Sequence, residues 1–457
     1  MVYMTSPNIL LITIDTLRAD KLSCYGYPVP TTPHIDRLAE KSIRFEQAIT
    51  GGSWTQAAFP VMLTSSYASW YGGCLGPLST QRPSPVEALA KHGYQTFAFS
   101  SSPLLSRNYG YDRGFRYFDD LIPGETDPAI RKLKGGERLL RFPITHTLAN
   151  LFGQQTRPAR LYVSAEELTQ RAGRWLEENP GPFFGWIHYM DVHWPYHREE
   201  HLVHPQQIAQ AWNDIAHLYR VNWKNASITP DQRARYLRLY EQALQYTDAQ
   251  LGRLFQKLDE LGLSENTIII LVSDHGEEFL ERGRWGHFET NLYDEILRVP
   301  LLIHLPHDPQ SRLIHRQVRL LDLMPTILAL AGCAPRPGME GTNLLPLWEQ
   351  GEEALSPQPS ISEMWRTHWH IIAVRTEQFK YIWNSKSPDQ PKLFELLSDP
   401  GEVSNVITSF PREAQGFQQQ VDQHLQSVMQ TAEADPVALP EMDDQLVKRL
   451  RDLGYLE

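Results

Sequence analysis

The chain has 457 residues, 41% of them hydrophobic, which is ample for a large buried core. Its 43 Lys and Arg against 54 Asp and Glu leave a formal charge of −11 with no basic run, which argues against a nucleic-acid binder, since phosphate neutralisation needs clustered Lys and Arg. An anionic small substrate is not excluded, because a bound metal reverses the local field. The three widely spaced cysteines, Cys24, Cys74 and Cys333, are neither a disulfide framework nor a zinc knuckle.

Apolar runs alternate with amphipathic stretches along the chain, which predicts an α/β fold with a mainly parallel sheet. Asn8–Ile14 predicts the first strand. The N-terminus lacks a basic region, its apolar run is too short for a membrane helix, and no other stretch approaches a membrane span. A cytoplasmic protein without signal peptide or transmembrane segment is therefore expected. A helix is predicted over 33–41, with Thr32 as N-cap and Pro33 in the first turn. Gln95–Ser100 predicts a strand after a helix closed by Gly93. The segment 124–160 is basic and weakly patterned and predicts an insertion near the site or a surface excursion. Ser164 and Glu167 have the spacing of a capping box for a helix running to about Asn179, and Phe183–Tyr189 predicts the next strand. A long helix is predicted after Thr229-Pro230, ending near Gly262. The run 267–273 is the clearest buried strand, 298–305 is another, and Leu323–Leu330 predicts a helix ended by Gly332. From about residue 355 the pattern becomes a few strands followed by polar helices. This divides the chain into a catalytic unit over 1–354 and a smaller C-terminal subdomain over 355–457.

Ligands in open parallel sheets sit at the carboxyl ends of strands. The first predicted strand ends in Asp15, the run 267–273 ends in Asp274-His275, and Phe183–Tyr189 is followed by Asp191 and His193. Two oxygen donors and an imidazole from separate strand ends suit a divalent cation such as Mn, Zn or Mg. Each residue alone also reads as a turn former, a helix cap or a core-edge histidine. The run Ser53-Trp54-Thr55-Gln56-Ala57-Ala58-Phe59-Pro60 follows a Gly-Gly pair and reads as a turn into a short helix. A hydroxyl at such a helix start lies among free N–H groups that favour an anion, and there it can ligate a metal and act as a nucleophile. Thr55 equally reads as a plain N-cap, which the local pattern alone favours. His287, in a Gly-punctuated polar loop, has the chemistry to protonate a leaving group, or to be a solvent-facing loop histidine.

These residues lie in blocks that resemble a known family. NILLITIDTLRADKLSCYGYPVPTTPHIDRLAEKSIRFEQAIT resembles the opening of the sulfatases, a branch of the alkaline-phosphatase superfamily. LVSDHGEEF, RWGHF and YDEILRVPLLIHLP resemble its second metal motif and sequel. LLDLMPTILALAG, FKYIWN and KLFELLSDPGEVSN resemble the blocks that follow, in order, over residues 8 to 405. The resemblance implies an alkaline-phosphatase/sulfatase-like α/β fold: a mixed, mostly parallel sheet between helices, with a small C-terminal α+β subdomain. It implies that Asp15, Thr55, Asp274 and His275 are metal ligands and that Thr55 is the nucleophile. His193 and Lys380 would contact the substrate, and His287 would stand on the leaving-group side.

The departures from the family pattern are specific. Formylglycine sulfatases carry Cys-x-Pro-x-Arg, where this chain has Thr55, Ala57 and Phe59, and formylglycine is not made from Thr by that route. Cys333-Ala-Pro-Arg has its Arg one place too early and lies in the wrong block. The usual second Asp after the first strand is Thr16. The resulting ligand set is similar to that of threonine-nucleophile relatives such as lipoteichoic-acid synthases and phosphoethanolamine transferases. The expectation is a hydrolase or transferase of sulfate or phosphate esters that uses one divalent ion (Mn, Zn, Mg or Ca) and takes a small anionic ester. Two other readings stay open. A sulfatase-like protein that only binds anionic esters is suggested by Ala57, Ala58 and Phe59. A two-metal phosphodiesterase or mutase relative would need a second ligand set, for which Asp191, His193 and His197 are the nearest candidates, with Asp191 out of register.

Overall fold

A computed structural model describes residues 6–121, 162–197, 204–224, 226–366 and 368–432. The predicted insertion at 124–160 and the segment 433–457 lie outside the described residues. The strands of the main sheet are β1 (Asn8–Ile14), β2 (Ser42–Ile49), β3 (Gln95–Ser100), β4 (Tyr117–Asp119), β5 (Phe183–Tyr189), β6 (Thr267–Val272), β9 (Arg298–His304), β10 (Arg312–Ile314) and β11 (Val318–Arg319). A short antiparallel hairpin, β7 (Glu278–Phe279) and β8 (Trp285–Gly286), stands apart from it. The sheet runs β10-β2-β9-β6-β1-β5-β3-β4, with β11 also on β2. Among the described strands of this sheet only β9 runs antiparallel to its neighbours, β2 and β6.

The central strands NILLITI, FFGWIHY and TIIILV are buried along their whole length. Strands covered by helices on both faces need such near-continuous apolar runs. Alternate residues feed two cores. Ile9, Leu11, Phe184 and Trp186 pack with Phe59, Met62 and Leu328 on one face. Leu10, Ile12, Phe183 and Ile187 pack with Leu168, Leu244 and Leu254 of the helices Ala165–Glu178 and Pro230–Glu260 on the other. Gly185 in mid-strand is there for close approach, because a Cβ would stand 2.2 Å from the Phe97 ring.

The predicted bounds of β1, β3 and β5 are those observed. The 267–273 and 298–305 strands each stop one residue early, at Val272 and His304. Thr229 and Gln232 form a full reciprocal capping box at the start of the long helix. Of two other cap expectations, the first holds by position and the second only by half. Thr32 holds the N-cap position but its hydroxyl turns to Asp36, and the first-turn N–H groups of His34 and Ile35 are bound instead by Asp248 at 3.1 and 2.8 Å. Ser164 accepts from the Glu167 N–H, but the Glu167 carboxylate goes to Arg171, so only half of that box forms.

The C-terminal part carries an antiparallel sheet of β12 (Ser360–Arg366), β13 (Trp369–Arg375), β14 (Phe379–Asn384) and β15 (Lys392–Glu395), packed by the helix Pro411–Ala432. It is bound to the main sheet's loops by buried polar contacts. Glu363 on β12 accepts from the Ser69 N–H at 2.8 Å and from His424 of the last helix at 2.9 Å.

Candidate active site

β1 lies between β5 and β6, so the ends of three strands meet at one place. Asp15 follows β1 directly and its N–H donates to the Tyr189 carbonyl at the end of β5. Ser273 ties β1 to β6, with its hydroxyl 2.7 Å from the Ile14 carbonyl and accepting from the Leu17 N–H at 2.9 Å. Between them Thr16 adopts φ 57°, a left-handed conformation that is an outlier for a β-branched residue. That conformation directs its N–H to Asp274 Oδ1, at 3.4 Å.

The carboxylates of Asp15 and Asp274 and the imidazole of His275 are fully buried, and their ligand atoms lie within 4.8 Å of one another. His275 Nε2 is 3.5 Å from Asp274 Oδ2 and 3.8 Å from Asp15 Oδ1. Among the described residues none of these three atoms has a hydrogen-bond partner. The other ring nitrogen, Nδ1, faces the Gly276 carbonyl at 2.9 Å. A carbonyl only accepts, so the proton is on Nδ1 and Nε2 turns a lone pair towards the carboxylates. Lone pairs converging in a buried space suit a cation, and oxygen donors with one imidazole fit a divalent ion. Burial and the charge of Asp15 hold Asp274 well above the usual carboxylate range. Burial works the same way on Asp15, but the His188 hydrogen bond and the charges of His193 and His275 outweigh it and hold that carboxyl below the range. Burial, with His287 alongside, holds His275 down to about 3.

Thr55 is the first residue of the helix Thr55–Thr64, and Trp54, not Thr55, is the N-cap. The hydroxyl is fully buried and lies 3.5 Å from Asp15 Oδ2. Gly52 allows this placement: a Cβ there would stand 2.3 Å from the Ala57 Cβ, in the first turn of the helix.

His193 and His287 complete the cluster. Their rings are 4.9 Å apart between centroids, and the His287 ring is 4.5 Å from that of His275. His287 Nδ1 lies 3.1 Å from Glu277 Oε1, and the other oxygen of Glu277 accepts from the Tyr196 hydroxyl at 3.1 Å. Burial raises Glu277 to about 7 and lowers His287 to about 4. Burial likewise lowers His193.

Sequence reasoning missed several groups here. Glu277 backs His287. His188 on β5 brings Nε2 to 3.5 Å from Asp15 Oδ2. Ser100, Ser101 and Ser102 at the end of β3 carry buried hydroxyls that have no hydrogen-bond partner among the described residues, and Ser100 stands beside His188 in register. The available signal was a polar residue interrupting, or closing, an apolar strand.

Three candidates are engaged elsewhere. Lys380 is fully buried, and its ammonium is bound to Asp294 and, at 2.8 Å, to Glu402. Asp191 accepts from the Ala165 N–H at 2.8 Å and so caps a helix. His197 Nε2 lies 3.3 Å from Asp214, which Arg235 also binds. Among the described residues, the group that could hold a metal is the one formed by Asp15, Asp274 and His275.

A mostly parallel sheet with a group that could hold a metal at the ends of its central strands fits the alkaline-phosphatase-like superfamily. The chain belongs to the sulfatase family: residues 7–333 match Sulfatase, and residues 283–431 match N-sulphoglucosamine sulphohydrolase, C-terminal. Arylsulfatase K of Gallus gallus is 26% identical over 456 residues, covering 91% of this chain and 82% of that protein. Arylsulfatase A of Homo sapiens is 27% identical, covering 88% and 83%. A shorter match to arylsulfatase K of Canis lupus familiaris reaches 30% over 217 residues, which is 46% of this chain and 39% of that protein. In fold, phosphonate monoester hydrolase of Agrobacterium radiobacter superposes with a TM-score of 0.68 at 21% identity, covering 92% of this chain and 96% of that one. Family membership agrees with the expected class, a sulfuric or phosphoric ester hydrolase. No described helix is long and apolar enough to cross a membrane.

Proposed function

We propose that the protein cleaves sulfate or phosphate esters of small molecules with Thr55 as nucleophile. The observation that carries this reading is the buried Thr55 hydroxyl at 3.5 Å from Asp15 Oδ2, at a helix start where it does no capping. Relatives named arylsulfatase support an ester of sulfate, and Thr in place of a formylglycine precursor keeps phosphate esters in view.

Asp15, Asp274 and His275, with the Thr55 hydroxyl, would hold one divalent ion. When bound, that ion supplies positive charge that offsets the ester's charge and favours loss of the Thr55 proton to solvent water. Thr55 Oγ1 then attacks sulfur or phosphorus in line. The Thr55 O–S or O–P bond forms as the ester's S–O or P–O bond breaks, and the electron pair leaves with the ester oxygen. His287 Nε2 gives that oxygen a proton, while Glu277 holds Nδ1 and stabilises the imidazolium. An anionic ester beside His287 raises its pKa from about 4, because an opposite charge favours the charged form. His193 faces the same space and orients the anionic group. Water or an alcohol releases the group from Thr55.

The test is turnover of paired aryl sulfate, phosphate monoester and phosphodiester substrates by metal-reconstituted protein. Turnover of one class that disappears on metal removal is expected. A metal-loaded protein that turns over none of the three would overturn the reading in favour of a binding protein.

A further inference from the structure

Thr13 on β1 and His188 on β5 are register partners, both fully buried on the face covered by the Thr55–Thr64 helix, where Phe59 packs edge-on against the His188 ring. The Thr13 hydroxyl accepts from the indole N–H of Trp186 at 3.0 Å. Its other contact is His188 Nδ1 at 2.8 Å. Indole only donates, and a buried hydroxyl has one proton to place, so that proton goes to Nδ1. The His188 proton is thereby fixed on Nε2, the opposite tautomer to His275, whose Nδ1 meets a carbonyl. His188 Nε2 lies 3.5 Å from Asp15 Oδ2, a close approach short of a formed hydrogen bond, and among the described residues that nitrogen has no hydrogen-bond partner.

We propose that His188 is a positioning residue: its Nε2–H, presented by Trp186 and Thr13, holds Oδ2 of Asp15 beside the Thr55 hydroxyl and leaves Oδ1 to face the cation. This rests on the reading of Asp15 as a metal ligand and Thr55 as the nucleophile. An N–H at Nε2 cannot ligate a metal, and His188 stands outside the ligand atoms that lie within 4.8 Å of one another. Supporting hydrogen bonds of this kind orient a carboxylate without touching metal or substrate.

The tautomer is read directly by two-bond 1H–15N correlation on 15N-histidine-labelled protein, with His188 assigned from the His188→Gln spectrum. The expected pattern is a protonated Nε2, before and after Zn2+ loading, and a shift towards protonated Nδ1 in Thr13→Val. In calorimetry on metal-free protein, His188→Ala should weaken Zn2+ binding or turnover by about 10–100-fold, as loss of a ligand's supporting hydrogen bond does. His188→Gln, whose amide N–H reaches towards the Nε2 position, should recover most of that loss. A bare Nε2, or loss of its proton on Zn2+ loading, would make His188 a further metal ligand and overturn the proposal. Equal losses in His188→Ala and His188→Gln would overturn it too. Failure of the Thr55 mechanism would show separately, as turnover retained by Thr55→Ala with the His188 spectrum unchanged.

Discussion

Thr55 Oγ1 lies 3.5 Å from Oδ2 of Asp15, so a helix start and a strand end separated by a helix and a strand present their oxygens to one another. The Gly51-Gly52 turn makes the approach possible. Gly52→Ala would place a Cβ 2.3 Å from that of Ala57 and push the helix start outward. Overpacking of this kind costs about 1–3 kcal/mol, and the displaced hydroxyl should lower kcat more than it raises KM. Steady-state kinetics beside urea denaturation check this. Unchanged kcat in a folded Gly52→Ala variant would mean that the helix start is not held by this contact.

On the proposed reading, in which the buried carboxylates of Asp15 and Asp274 hold the ion, metal binding is a stability event. Ligand at 100 times its Kd stabilises the native state by about 2.7 kcal/mol. Thermal denaturation with chelator and with divalent ion should show a clear rise in Tm for the wild type. In Asp274→Asn the rise should vanish. The metal-free variant should be no less stable than the metal-free wild type, because one of two buried like charges is gone. A full metal-induced rise in Asp274→Asn would remove Asp274 from the ligand set.

Much of this architecture is legible in the sequence because central parallel strands leave a strong mark. β1, β3, β5 and β6 read as apolar runs, with Asp15 directly after β1 and Asp274-His275 just beyond the end of β6. β2, with the sequence SIRFEQAI, alternates polar and apolar residues and carries no such run. His188 and Thr13 are lone polar residues inside apolar strands. Their meaning depends on a register between segments 175 residues apart, which no local pattern encodes. Glu277 is written next to an equally acidic Glu278, and only the fold directs the first to His287 and the second to Asn291. The family resemblance offered Lys380 as a substrate contact, whereas its partners Asp294 and Glu402 become apparent only in three dimensions.

Lys380 accordingly tests the division between site and scaffold. It joins β14 to Asp294, which Arg375 also binds, and to Glu402. Removing one partner of a buried ion pair costs about 3–5 kcal/mol, so Lys380→Met should lower the urea midpoint strongly while KM of the folded fraction stays unchanged. A KM raised several-fold at unchanged stability would return Lys380 to the substrate.

Glu363 predicts a pH dependence. Burial opposes its ionisation, but the His424 charge and hydrogen bond, together with Ser69, hold the carboxyl below its usual 4.5. A depressed carboxyl pKa contributes stability above the unfolded value and loses it as pH falls through the folded value. Wild type should therefore exceed Glu363→Gln in stability at pH 7, and the gap should close as pH falls below about 4.5. Urea titrations at several pH values measure it. A gap that does not depend on pH would mean that the carboxylate's charge adds nothing to the docking of the last helix.

The most direct test of the central claim is turnover by Thr55→Ala, compared with wild type at equal metal occupancy and with the fold verified by circular dichroism. Loss of the nucleophile should lower kcat by about 10^4-fold or more on the ester that the wild type cleaves, with metal still bound. Turnover at or near the wild-type rate in that variant would contradict a threonine nucleophile.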